Sequence, residues 1–231
     1  MSVGKLVDGN RRYTREFVCI APDVIRALVT GQSPEALVVC CSDSRVVPEL
    51  ITNAGAGSLF VVRNVGNLIP PHSSGNQSVG AGIAYAVGHL KVKHLVVLGH
   101  YNCGGMGALR RVFGGEGRND ADDDTLPAWL AYAKASWDEL LASGHADEPD
   151  WNDHLVEENV LQQLAHALGY PIVRRAVEEG RLQLHAWCYD LSDGKLRFWD
   201  GARDEFVEEG AAAALGGAVS IAEVEEQDRV K

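Results

Sequence analysis

Ala36-Leu37-Val38-Val39-Cys40-Cys41-Ser42-Asp43-Ser44-Arg45 and His94-Leu95-Val96-Val97-Leu98-Gly99-His100-Tyr101-Asn102-Cys103 decide how this chain is read. Each is a short, β-branched apolar run that stops at a cluster of polar and metal-ligating side chains. Such runs, bounded by polar residues or glycine, read as buried strands of a parallel sheet. In open α/β sheets, ligand-binding groups gather just beyond the carboxyl ends of the strands. Cys41, His100 and Cys103 all fall there. Two soft thiolates and one imidazole are a ligand set that zinc favours, and three protein ligands leave one tetrahedral position open, as in catalytic zinc sites. The first ligand stands far from the close pair, so a fold must assemble the site, unlike a zinc finger with its two close pairs. A lone cysteine after an apolar strand is more often a core residue. Here Asp43 and Arg45 follow it, and charges at a strand end are costly unless paired or functional.

Outward from these stretches the pattern is α/β: a central, mostly parallel sheet flanked by helices, with an N-terminal helical arm. Residues 3–29 have helical spacing broken near Pro22. Leu59–Val62 reads as a second strand, and Val46–Ile51 as the start of a short helix. Ser78–Leu90 and Gly104–Phe113 read as helices, as do 127–143 and 153–179. Gln183–Tyr189 and Lys195–Trp199 read as a hairpin at one sheet edge, joined by the turn Ser192-Asp193-Gly194. Residues 114–126 read as a solvated, acidic loop without calcium spacing. No repeat or second core is evident, so residues 1–231 are expected to form one domain. Within it, 1–30 is the helical arm and 207–231 a loosely held acidic tail.

The 231 residues carry a net charge of −11, which argues against a nucleic-acid partner. No stretch approaches the ~20 apolar residues of a membrane helix, and the N-terminus lacks a signal-peptide core. Five cysteines without a secretory signal point to a reducing compartment, the cytoplasm. Cys19, Cys40 and Cys188 are expected to be packing residues, with Cys40 facing away from Cys41.

Three blocks taken together, Cys41-x-Asp43-Ser44-Arg45, Phe60-Val-Val-Arg63-Asn64-Val-Gly-Asn67 and His100-x-x-Cys103-Gly104, resemble the β-class carbonic anhydrases, and more closely their plant-type branch. The resemblance runs from about Leu6 to about Asp200. It implies one zinc ion per chain on Cys41, His100 and Cys103, and reversible hydration of CO2 to bicarbonate and a proton by zinc-bound hydroxide. Asp43 would accept from that hydroxide and Arg45 would hold Asp43 ionised. In a closed state Asp43 would become the fourth ligand. Gln32, Phe60, Val65, Tyr85 and Gly104 match substrate-binding positions, the apolar ones suiting CO2. His89, four residues after Tyr85, is the candidate proton shuttle, ahead of His72, His94 and His185. Val38 stands where a regulatory tryptophan occurs in some bacterial members, which puts that bicarbonate site in doubt although Arg63 and Tyr189 are present. A homodimer or higher homo-oligomer is implied, with pocket residues crossing the interface.

Two other readings share these ligands: a hydrolase of COS or CS2, and a non-catalytic zinc or redox-sensing protein. The Asp43–Arg45 pair argues against the second, since a purely structural site needs no oriented open position. Zinc lowers the pKa of bound water from about 15.7 toward 7. Two thiolates donate more charge than three imidazoles, so activity favoured at alkaline pH is expected.

Overall fold

The computed structural model describes residues 2–19, 21–115, 123–210 and 217–229. The chain divides into two compact units, Met1–Ser33 and Pro34–Lys231. In the first, helix α1 (Val3–Tyr13) runs into a π-helical turn, Thr14–Val18, and helix α2 (Pro22–Thr30) follows. Proline at the first position of α2 explains the break, because its missing N–H costs nothing there. Neither helix has a buried residue, and Val3, Leu6 and Val29 are all exposed. Cys19, expected to be a packing residue, is exposed here.

The second unit holds strand β1 (Ala36–Cys41), helix α3 (Pro48–Ile51), β2 (Leu59–Asn64), α4 (Gln77–Ile83), β3 (His94–His100) and α5 (Gly104–Phe113). Helices α6 (Thr125–Leu130), α7 (Lys134–Ser143), α8 (Trp151–Leu168) and α9 (Pro171–Glu178) come next. Strands β4 (Gln183–Tyr189), β5 (Leu196–Asp200), β6 (Glu205–Glu208) and β7 (Ala218–Val219) and helix α10 (Ile221–Arg229) complete it. The sheet order is β2-β1-β3-β4-β5-β6, with β7 paired to β4. The first four strands in that order are parallel neighbours, and β5, β6 and β7 join antiparallel. The apolar runs of β1 and β3 form the centre because both of their faces are covered. Leu37, Val39 and Cys41 enter the larger core, whereas Val38 and Cys40 enter a smaller one with Val96 and Leu98. Cys40 thus faces away from Cys41, as strand alternation requires.

Three expectations are corrected. The β4–β5 hairpin does not end the sheet, since β6 forms the edge beyond it. The stretch 153–179 is two helices, because Pro171 starts α9 and cannot continue α8. The tail after Phe206 carries β6, β7 and α10 rather than hanging loose. Val219 pairs opposite Leu184, and Val219 and Val224 are buried, so a few apolar side chains dock an otherwise acidic segment. Residues 211–216 and 230–231 of that tail, and 116–122 of the expected acidic loop, lie outside the described residues.

β3 meets α8 at Gly99, where an added Cβ would stand 2.5 Å from Val160 Cγ2 and 3.0 Å from Val156 Cγ1. Gly99→Ala is therefore expected to destabilise the protein by about 1–3 kcal/mol. A urea midpoint that falls at unchanged m-value checks this, and an unmoved midpoint would show that strand and helix can part freely.

Candidate metal centre

Parallel pairing sets Cys40 opposite Leu98, so β1 and β3 release their last residues at the same end of the sheet. Cys41 ends β1 and His100 ends β3. Asn102 then turns the chain at φ 54°, a left-handed conformation that Asn accepts more readily than most side chains. The turn brings Cys103 back as the residue that caps the N-terminus of α5. The result is that ligand atoms of Cys41, His100 and Cys103, all buried, lie within 4.8 Å of one another.

The donor set is prepared for a metal ion. His100 is fully buried, and its Nδ1 lies 3.1 Å from the Tyr101 carbonyl, to which it can only donate. That fixes the tautomer and leaves Nε2 as a lone pair. Nε2 has no hydrogen-bond partner. An unsatisfied buried acceptor costs about 1–3 kcal/mol, which a coordinated ion would remove. The two thiols act on each other electrostatically. Donation from Cys103 pulls the Cys41 thiol well down against burial, with the N–H groups of Gly66 and Asp43 assisting. The same bond and burial hold the Cys103 proton on, although N–H groups of Met106 and Gly105 at the start of α5 oppose this. A metal ion in place of that proton would let both sulfurs ionise. Cys40 contrasts with them: burial pushes its thiol up to about 12, despite the nearby Arg63.

Asp43 is held beside this cluster. Arg45 donates Nε to Oδ1 at 2.9 Å and Nη2 to Oδ2 at 2.8 Å, and its backbone N–H adds a third bond to Oδ1 at 2.9 Å. This bidentate fork holds the Asp43 carboxyl far below the usual range, against a small desolvation effect. Asp43 Oδ2 lies 3.8 Å from His100 Nε2. Arg45 Nη2 also reaches the Asn102 carbonyl at 3.2 Å, tying the two ligand loops together.

The role of Arg63, which the sequence reading named only for the bicarbonate site, and several further residues that hold the site escaped that reading. Arg63 donates to the carbonyls of Cys41, Asp43 and Val46, clamping the loop that carries Asp43. From α8, Asn152 accepts from Cys103 N–H at 2.9 Å and donates to the Cys103 carbonyl at 3.2 Å. Asp153 accepts from Asn102 N–H, and Glu157 accepts from the Tyr101 hydroxyl at 2.6 Å. Asn159 donates to the Gly66 carbonyl, and Gln163 accepts from Ile69 N–H. Their spacing along one helix was the available signal, because polar residues recurring at helical period on an apolar helix must have buried partners.

The other candidates divide. Val65 follows Asn64, the residue paired with Cys41, and Gly104 follows Cys103, so both adjoin the cluster. Phe60 pairs with Leu37, four residues back along the strand from Cys41. That is roughly 13 Å at 3.3 Å per residue. Tyr85 lies 5.8 Å from the Phe60 ring, and His89 stacks on Tyr85 at 4.9 Å. A single chain therefore does not bring Phe60, Tyr85 and His89 to its own metal ligands. Gln32 is an exposed residue of the first unit. His94 opens β3 at the opposite end from His100 and pairs with His185 at 3.0 Å.

Residues 36–196 match the family model described as carbonic anhydrase. A Pseudomonas aeruginosa carbonic anhydrase is 41% identical over 218 residues, covering 92% of this chain and 96% of the relative. Carbonic anhydrase 1 of Escherichia coli O157:H7 is 39% identical, covering 88% and 90%. Among solved structures, the β-carbonic anhydrase CcaA superposes with a TM-score of 0.86 at 31% identity, covering 97% of this chain and 96% of that one. One of two tetrameric β-carbonic anhydrases of Sordaria macrospora gives 0.73 at 29% identity, covering 84% and 95%.

Asn152→Ala removes both side-chain bonds to Cys103 and is expected to weaken metal binding about 10–100-fold with the fold intact. Competition against a chromophoric chelator, with far-ultraviolet dichroism as the control, measures this. Unchanged affinity would mean that α8 does not position the ligand loop.

Proposed function

The chain belongs to the β-class carbonic anhydrases, lyases that hydrate CO2, and from that premise we propose a zinc-dependent enzyme with an open resting site. One zinc ion would be held by Cys41, His100 and Cys103. The observation that carries this is His100 Nε2, a buried lone pair without a hydrogen-bond partner, whose ligand atom lies within 4.8 Å of those of Cys41 and Cys103. When bound, zinc supplies a Lewis acid that brings the pKa of water down toward the neutral range.

The chain's own residues do the rest. Asp43, ionised and acceptor-only, accepts a hydrogen bond from the attacking oxygen and so aims an oxygen lone pair at the CO2 carbon, without taking the proton. Arg45 keeps Asp43 charged and engaged in a bidentate pair, which favours the open state over one with Asp43 as fourth ligand. The Gly104 N–H donates to the negative oxygen that develops on CO2, and Val65 lines the apolar side. We retain for Gln32 the substrate-amide role that the resemblance implies. Bicarbonate leaves with its negative charge, and the released proton is assigned to His89.

Phe60, Tyr85 and His89 are proposed to serve the site of a second copy in a homodimer or larger homo-oligomer. Support comes from their distance from their own chain's ligands, from the exposure of Tyr85 and Val65, and from the apolar residues left exposed on α1 and α2. The Sordaria macrospora relatives are tetramers by their description.

The pH dependence follows from these groups. The folded-state pKa of Asp43 is depressed, so the pair's contribution is complete above the ordinary value of about 3.9 and is lost only in stronger acid. Asp43 is then charged at every assay pH, and a rise of rate with pH belongs to the reacting water. Stopped-flow CO2 hydration from about pH 6.5 to about 9 is expected to show activity throughout, rising toward the alkaline end. Activity that appears only above about pH 8 would oppose an open resting site. No activity with zinc bound would return the reading to a related hydrolase or a non-catalytic zinc protein.

Asp43→Asn keeps the shape but places an N–H where an acceptor is needed. It is expected to lower kcat/KM on the order of 10²–10³-fold with zinc content unchanged. A near-normal rate would remove Asp43 from the mechanism.

A further inference from the structure

A second cluster of ligating side chains lies between α7 and α8. His145 sits on a short 3₁₀ turn, His145–Asp147, after α7, and His154 lies in the first turn of α8. Their rings stack with centroids 4.4 Å apart. His145 Nδ1 is 2.7 Å from Glu148 Oε2, and His154 Nε2 is 3.4 Å from that oxygen and 3.7 Å from Asp150 Oδ2. One ligand atom each from His145, Glu148 and His154 falls within 4.8 Å of the others. Tetrahedral ligands at metal distances near 2.1 Å stand roughly 3.4 Å apart, so side-chain rotation alone would close this set on an ion. All three side chains are only part-exposed.

A second observation is independent of the spacing. A cavity of about 440 Å³ opens beside the two histidines. Carboxylates, among them Glu139, Glu158 and Asp204, line it, and no lysine or arginine does so among the described residues. A concave surface of one sign concentrates counter-ions. Two imidazoles and a carboxylate suit first-row divalent ions better than calcium or magnesium, which prefer all-oxygen sites.

We propose that His145, Glu148 and His154, with Asp150 at the rim, bind a divalent transition-metal ion of the zinc class. The site is separate from Cys41, His100 and Cys103, and the proposal does not rest on the function given to those residues. The ion would tie the 145–147 turn to the start of α8, next to Asp153 and two residues from Asn152, which hold the His100–Cys103 loop.

Equilibrium dialysis of the full-length, tag-free protein against Zn²⁺ tests this. Wild type is expected to hold two equivalents per chain. The double substitution His145→Ala and His154→Ala is expected to lose one, and Cys41→Ser to keep the second. Co²⁺ added to protein carrying a single equivalent of zinc should give weak d–d bands without thiolate charge transfer. A single equivalent in wild type, a second equivalent that survives in the double variant, or thiolate bands from the added Co²⁺ would overturn the proposal. Loss of the first equivalent alone would bear on the Cys41 site and leave this one standing.

Discussion

The site depends on one helix that is both buried and polar. Along α8 and just past it, Asn152, Asn159, Gln163, His166 and Tyr170 follow helical spacing, while Leu155, Val156, Val160 and Leu164 fill the core. A buried amide or hydroxyl without a partner costs a few kcal/mol, so these side chains are stable there only because loop backbone meets them. Asn152 takes the Cys103 loop, Asn159 the Gly66 carbonyl, Gln163 and His166 the main chain of Ile69, and Tyr170 the Pro70 carbonyl. In return, backbone groups of two irregular loops find side-chain partners against the core. The turns beyond β2 and β3 can then be shaped by ligand geometry rather than by hydrogen-bond ladders.

Beside this helix, charge is arranged so that Asp43 is paired with Arg45 next to the three candidate ligands. The two ligand thiols face N–H donors, which makes them ready to ionise together on a metal ion, whereas Cys40 on the other face of the same strand is held as an inert thiol. Asp43 is the only carboxylate in ion-pair range of His100 among the described residues, and it is engaged three times by Arg45. An aspartate so occupied can orient a water but must break a bidentate pair to reach a metal. Arg63 adds to this by fixing the backbone that carries Asp43. Its guanidinium also donates to the carbonyls of Cys41 and Val46, so its hydrogen bonds here are to the backbone of this loop.

Much of this was legible because the deciding signals are local. The β-branched runs of β1 and β3, the ligands at their ends and the Asp43–Arg45 spacing each lie within a few residues of sequence. What was missed depends on distant partners. The α8 stripe has meaning only once its loops are known, and β6, β7 and α10 are too short or too acidic to announce themselves without Leu184 and β5 to dock on. The break at Pro171 was visible in the residue but outweighed by the helical pattern on both sides. Phe60, Tyr85 and His89 match pocket positions in the resemblance, yet the strand register sets Phe60 opposite Leu37, four residues back from Cys41, and this is why they are proposed to serve a second copy.

The central claim is that the chain presents two sulfurs and one nitrogen to a metal while Arg45 keeps Asp43 off it. A zinc-edge anomalous map from crystals of the zinc-loaded protein near neutral pH tests this most directly. The account predicts density within bonding distance of Cys41 Sγ, His100 Nε2 and Cys103 Sγ, with Asp43 still forked by Arg45. An ion ligated by Asp43, with the Arg45 pair broken, would contradict it.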